Sequence, residues 1–331
     1  MTQAFDVVGI GNAIVDVLAH AEEAFLAREG LVKGTMALID AERAEALYHK
    51  MGPAIESSGG SAANTLAGLA SLGGNGAYIG KVRDDLLGDV FRHDITALGV
   101  RFDTPAATTG PGTARCLILV TPDGQRTMNT YLGICVELAP ADIDPAIIQA
   151  AQITYLEGYL FDPPQAQAAF RKAAAVAHAA GRKVALSLSD PFCVARHRAA
   201  FRDLVRHDVD ILFANEAEIC ALYETDDFAA AAAAVKGHVG VAALTRSAAG
   251  SLVLADGAEY PVPAAPVPRV IDTTGAGDLY ASGFLYGLIR GRPLPICGAI
   301  GSLCAAEIIS HMGARPESEL RGFVAAAGLP L

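Results

Sequence analysis

The chain lacks a basic surplus: 25 lysines and arginines stand against 36 acids, a formal net charge of −11. No basic stripe runs along any segment, which excludes the usual electrostatic footprint of a nucleic-acid binder. It also lacks paired cysteines. Cys116, Cys135, Cys193, Cys220, Cys297 and Cys304 form no C-x-x-C and sit in apolar or mixed stretches, the pattern of buried free thiols in a reducing compartment. No apolar run reaches the roughly 18 to 20 residues needed to span a bilayer. No charged-then-apolar leader follows Met1. These absences predict a soluble, cytoplasmic protein with neither a nucleic-acid nor a membrane partner.

What is present is apolar: 52% of the residues are hydrophobic and 18% charged, enough for a sizeable core. At 331 residues, one large body with an appended subdomain is expected. FDVVGI (5–10) reads as a buried first strand and GNAIVD as the turn after it. A short helix is expected over 20–30, a strand over 35–40, then a helix to Met51. GGSAANTLAGLASLGG (59–74) is a glycine turn opening a small-residue helix. Around Asp123-Gly124 two strand-like runs form a hairpin. From 153 onward strands and helices alternate, including a helix over 194–206, and two small-residue helices (276–290, 294–310) close the chain. Alternation predicts an α/β fold, a mainly parallel sheet covered by helices on both faces. The hairpin and the 35–40 strand break that rhythm and predict a separate small sheet. The large body is expected over 1–14, 51–100 and 131–331, and a small β-rich lid over 15–50 and 101–130.

Two familiar nucleotide motifs fail. Gly9-Ile10-Gly11 follows a strand, but the third glycine of G-x-G-x-x-G falls on Ile14. Gly80-Lys81 lacks the upstream glycine of a P-loop, where Asn75 stands, and the following Ser or Thr, where Val82 stands.

Three other constellations carry chemistry. In DTTGAGD (272–278) a strand-like run ends, and a helix opens at Gly275-Ala276-Gly277. The first N–H groups of a helix lack internal partners and sit at the positive end of its dipole, so they suit a phosphoryl group gaining negative charge. Asp278 in that first turn can take a proton from a hydroxyl that attacks the phosphoryl group. A helix capped by Thr274 with an incidental acid is the plainer alternative. In Asn215-Glu216-Ala217-Glu218, just after a strand, Asn215 and Glu218 can hold a hydrated Mg²⁺. They fit equally an N-cap asparagine followed by acids. Asn12 and Asp16, with Gly59, Gly60, Ser61 and Asn64, supply amides and a carboxylate suited to the hydroxyls of a sugar-like ligand.

In order and spacing, GGSAANTLAGLASLGG, NEAE and DTTGAGD resemble the signatures of the PfkB/ribokinase-like family of carbohydrate and nucleoside kinases, over essentially the whole chain. The resemblance implies a ribokinase-like fold and an ATP- and Mg²⁺-dependent phosphotransferase. Asp278 would be the general base, and the amides of Gly275, Ala276 and Gly277 the anion hole. Asn215 and Glu218 would position Mg²⁺ and phosphates, while Asp16, Gly60 and Asn64 would hold the sugar. Thr245, Arg246, Ser247 and Gly250 resemble the nucleotide-contacting strand and turn. The adenine pocket would lie around Ala305 to Gly313, with His311 and Gly313 at its end. Asp272 and Thr274 match positions that hold a monovalent cation, potassium being the candidate, in many members.

GNAIVD and the long helix-bearing segment between Asp16 and Gly59 resemble adenosine kinases more than ribokinases or fructokinases. Arg126, on the predicted hairpin, resembles a substrate-side arginine that closes over the phosphates. Met36, Leu38, Cys116 and Leu117 can cover a base or serve as the lid's own core. Adenosine is therefore the first acceptor expected, a sugar such as ribose or fructose the second, and a catalytically silent binding protein the third. A helix-covered lid resembles monomeric members and a bare lid sheet the dimeric ones, which leaves monomer and homodimer open.

Overall fold

Phe5–Ile10 lies near the middle of a nine-stranded sheet in the computed structural model, which describes residues 4–331. The strand order is Ala258–Val262, Ser251–Ala255, Val241–Thr245, Ile211–Asn215, Lys183–Ser187, Ala151–Glu157, Phe5–Ile10, Gly76–Ile79 and Arg101–Phe102. The last seven of these are parallel, and the two at the first edge are antiparallel additions. Successive side chains of a strand point to opposite faces, so a sheet covered on both sides needs unbroken apolar runs. Val8, Leu156, Leu186 and Leu212 enter one core with the helix Pro164–Ala179. Val7, Tyr155, Ala185 and Phe213 enter the other, under Ser61–Ser71 and Ala276–Ile289.

A five-stranded sheet, in the order Met36–Leu38, Arg126–Tyr131, Ala114–Val120, Ile14–His20 and Ala54–Gly59, stands apart from it. Val15, Val17 and Leu117 on one face pack in the same core as Leu47 of the helix Ala41–Tyr48. The other face carries Cys116, Ile118 and Val120, flanked by Ile14, Leu18 and Met128.

The sheets correct several sequence boundaries. Ile14–His20 is a strand where a turn and the start of a helix were expected, and the helix shrinks to Glu23–Arg28. Ala54–Gly59, assigned to the body, pairs with Ile14–His20 in the small sheet. Its sequence AIESSG is polar because it is an edge strand with exposed positions. Arg101–Phe102, assigned to the lid, pairs with Gly76–Ile79 in the large sheet. The helix expected over 194–206 is two, Pro191–Arg196 and Arg198–His207, broken at His197. Met1 to Gln3 of the expected body segment lie outside the described residues.

Candidate active site

Glycine and small residues decide how closely three helices approach. A Cβ on Gly68 would come within 2.5 Å of both Leu279 Cδ1 and Ser282 Oγ. The helix Ser61–Ser71 therefore lies against Ala276–Ile289 at a distance only glycine permits. Gly283 meets Gly301 of the helix Leu294–Ile308 in the same way, 2.8 Å from that Cα. This contact brings the first turn of one helix to the first turn of the next. Ser61 Oγ donates to Asp278 Oδ1 at 2.5 Å, and Asn64 Nδ2 donates to Asp278 Oδ2 at 3.0 Å. Asp278 is half-buried, packed about by protein and open on one side. Burial raises its carboxyl above the ordinary range, against the bonds from Ser61 and Asn64 and the charge of Arg315.

Gly275 opens the helix at φ 78°, a left-handed conformation that a side chain would strain. Ala276 N–H is used by the turn, donating to Thr273 O at 3.2 Å. The N–H groups of Gly277 and Asp278 find no partner among the described residues. Among the described residues nothing stands within 4 Å of a Cβ on Gly277, which is exposed. An acid and free amides thus share one helix turn.

Gly60, at φ 92°, turns the edge strand into the helix Ser61–Ser71. A Cβ there would strike Asn12 O at 2.2 Å, and one on Gly59 would lie 2.4 Å from Asp16 Oδ2. Asp16 projects from the small sheet, its carboxylate without a hydrogen-bond partner among the described residues. Burial raises its carboxyl to about 6, opposed by Arg315 and Arg126 and aided by Asp278. Asn12 and Asn64 are buried, and the side-chain oxygen of each accepts no hydrogen bond among the described residues.

Sequence reading missed two residues here. Glu157, 1% exposed at the end of its strand, accepts from Asn12 N–H (3.2 Å), Asn12 Nδ2 (3.0 Å) and Ala62 N–H (2.7 Å). Burial pushes it up to about 7, the bonds from Ala62 and Asn12 holding it down. A carboxylate ending an apolar strand was the available signal. Arg315, in an irregular segment with no motif around it, donates to Ser58 O, Ser58 Oγ and Ala63 O.

Arg126 and Asp272 form an ion pair at 2.9 Å, with 7% and 8% of their side chains exposed, joining the small sheet to the loop ahead of Ala276–Ile289. Asp272 also accepts from Thr274 N–H and Oγ1 and from Gly313 N–H. Asn215 and Glu218 face one another in a capping box: Asn215 N–H and Nδ2 donate to Glu218, and Glu218 N–H donates to Asn215 Oδ1. Burial raises Glu218 to about 7, with Asp190 and Asp278 adding to it and the Asn215 N–H bond opposing. Among the described residues no three His, Cys, Asp or Glu side chains cluster to hold a metal.

Thr245 is paired with Asn215 on the adjacent parallel strand, so the next turn begins beside the box. There Arg246 N–H donates to Gly250 O, and the guanidinium lies 4.3 Å from the Phe228 ring centroid. Ser247 has φ 50°, and a Cβ on Gly250 would meet Val262 O at 2.1 Å. His311 is bonded to Glu307 at 3.2 Å and to Met312 O, a tie within the helix end. The structure thus gathers Asn12, Asp16, Gly59, Gly60, Ser61, Asn64, Arg126, Asp272 and the 275–278 loop into one cluster. Asn215, Glu218 and Thr245 to Gly250 stand at the neighbouring strand ends.

The chain matches known proteins. The family model described as pfkB family carbohydrate kinase matches residues 35–320. A probable sugar kinase from Rhizobium etli CFN 42 is 50% identical over all of both chains, with a TM-score of 0.92. An adenosine kinase from Sinorhizobium meliloti is 51% identical over 98% of this chain and 99% of its own, with a TM-score of 0.90. An ATP-dependent ribose-1-phosphate kinase from Halopiger xanaduensis is 30% identical over 78% of this chain and 83% of its own. With that family model covering most of its length and these relatives sharing its fold, the chain belongs to the pfkB family of carbohydrate kinases.

Proposed function

We propose that the chain transfers the γ-phosphoryl group of ATP to a primary hydroxyl of a nucleoside, adenosine giving AMP, with Asp278 as general base. The observation that carries the reading is Asp278, held by Ser61 and Asn64 in the same helix turn as the unpartnered amides of Gly277 and Asp278. The hydroxyl proton passes to the Asp278 carboxylate as the oxygen bonds to phosphorus. The bond to the departing ADP breaks, and the amides take up charge on the transferred group. Asp16 and the side-chain oxygens of Asn12 and Asn64 are acceptors suited to ribose hydroxyls, since a buried acceptor left without a donor is costly.

A nucleoside is favoured over a bare sugar by the small sheet. Leu117 is buried in the core behind it, but Ile118, Leu18 and Met128 share the face that bears Asp16. Met36 and Leu38, 50% and 60% exposed, are paired with Met128 and Thr130 along it. An apolar wall beside a hydroxyl-binding acid suits a flat base joined to a sugar. The small sheet is the proposed lid, excluding water from the cleft when it closes.

Asn215 and Glu218 would hold Mg²⁺ through water, a mode that suits an ion that keeps several waters and binds few carboxylates. The bound ion would offset phosphate charge. Asp272 and Thr274 would hold potassium beside the same loop, Asp272 sharing its charge with the Arg126 it is paired with. Thr245 to Gly250 and the segment ending at His311 and Gly313 would face the nucleotide. A sugar acceptor is the second reading, supported by the sugar-kinase relatives. Spectrophotometric ADP release with a panel of nucleosides and sugars tests both, with potassium exchanged for tetramethylammonium in a parallel series. Turnover is expected fastest with adenosine. Turnover with sugars alone overturns the nucleoside reading, and tight ligand binding without turnover overturns the kinase reading.

A further inference from the structure

Arg315 has no acid in direct contact, and the first acid to act on it, Asp94, is reached through the Ser58 hydroxyl. It makes no ion pair with any described carboxylate, whereas Arg126 is neutralised by Asp272 at 2.9 Å. Its guanidinium is instead pinned by oxygen atoms on both sides of the Gly59–Gly60 turn. Nε and Nη2 donate to Ser58 O at 3.0 and 2.6 Å, Nη2 also to Ser58 Oγ at 2.8 Å, and Nη1 to Ala63 O at 2.7 Å. Ser58 precedes Gly59, whose Cα lies against Asp16. Ala63 precedes Asn64, which binds Asp278. The guanidinium is therefore tied to the chain beside each of the two residues that contact the cleft carboxylates.

We propose that Arg315 is a positioning residue whose guanidinium supplies the counter-charge for Asp16 and Asp278 together, without touching either. The inference rests on the kinase reading for its consequence, because Asp278 must be ionised to take a hydroxyl proton, and an ionised Asp16 makes the stronger, charge-assisted hydrogen bond to a ligand hydroxyl. Two acids facing one cleft repel each other, and burial penalises both. On Asp16, Arg315 is the largest opposing influence, ahead of Arg126. On Asp278 it acts with the bonds from Ser61 and Asn64. The surrounding groups are mostly acidic or neutral. Asp16 also faces the Cys116 thiol from the small sheet. Asp278 is felt by Glu157, Glu218, Tyr155 and Tyr159 from the body strands and their loops. Asp94, which accepts from Ser58 Oγ at 2.6 Å, and the Tyr78 hydroxyl face Arg315 from behind. The other cation acting on Asp16, Arg126, is paired directly with Asp272.

The test is carboxyl-carbon NMR titration of aspartate-labelled full-length protein, with Asp16→Asn and Asp278→Asn used to assign the two signals. In Arg315→Gln both midpoints are expected to rise by about one pH unit, the lower end for loss of a nearby opposite charge. Arg315→Lys, which keeps the charge and loses the fork, should leave them near wild type. The acid limb of kcat/KM should move up in parallel in the Gln variant alone. Unmoved midpoints in a folded Arg315→Gln, or equal shifts in Gln and Lys variants, overturn the proposal. The titration decides it without turnover, so inactivity of the wild-type protein with every acceptor would count against the kinase reading and leave this result standing.

Discussion

Asp278 has two hydrogen-bond donors and an open side, so its substitution separates chemistry from architecture. Asp278→Asn keeps the shape and can still accept from Ser61, but it cannot take a proton. We expect kcat to fall by at least ~10² with the acceptor KM nearly unchanged, measured by steady-state ADP release. Retained activity would remove Asp278 as the base. At this scale the chain was legible wherever a residue belonged to a local pattern. DTTGAGD placed a glycine turn, a helix start and an acid together, and the helix opens at Gly275, but no strand directly precedes Asp272 and the Ala276 amide is taken up by Thr273 O. Glu157 and Arg315 were illegible because their partners are remote in sequence. Glu157 binds Asn12 at a separation of 145 residues, and Arg315 binds Ser58 at 257. Asn215 and Glu218 show the converse: a motif legible for metal is seen here satisfying itself as a capping box.

Among elements, the decisive contact is Ser61–Ser71 against Ala276–Ile289. The small-residue composition of both helices announced close packing, and Gly68 is where it is tightest. Gly68→Val inserts three carbons where Leu279 and Ser282 stand. Overpacking of this kind costs roughly 1–3 kcal/mol. We expect a lowered Tm by calorimetry and a drop in kcat, because separation of the helices withdraws Ser61 and Asn64 from Asp278. A kcat equal to wild type in the folded variant would show that this helix spacing does not set the geometry of the acid. Strands were less legible than helices. Ala54–Gly59 and Ala258–Val262 lie at sheet edges, where exposure leaves no apolar alternation to read.

For the whole molecule, the raised carboxyls have a consequence for stability. Asp16 at about 6, Glu157 at about 7 and Glu218 at about 7 all lie above the ordinary carboxylate range. A folded-state value above the unfolded one means that the native state binds more protons across the interval between them. Stability from these groups is therefore present at low pH and lost as pH rises from about 4 to about 7. We expect Tm, followed by calorimetry, to decline over that interval in the wild type. The slope should be shallower in Glu157→Gln, which removes one of the three. A Tm that climbs steadily from pH 4 to 7 would show that other carboxylates dominate. Among the described residues no helix is long and apolar enough to cross a membrane.

Local order was determined by the sequence itself. Apolar runs between helical stretches specify a parallel sheet covered on both faces, because strands buried on two sides must be apolar throughout. Glycines ahead of small-residue helices specify the turns that expose amides. Tertiary structure alone decided which charges meet. Asp16, Glu157, Asp278 and Arg315 come from four separate regions, and their mutual influence depends on distance and burial rather than on spacing along the chain. An acid ending a strand has an ordinary value in isolation, and folding around it sets the proton it carries.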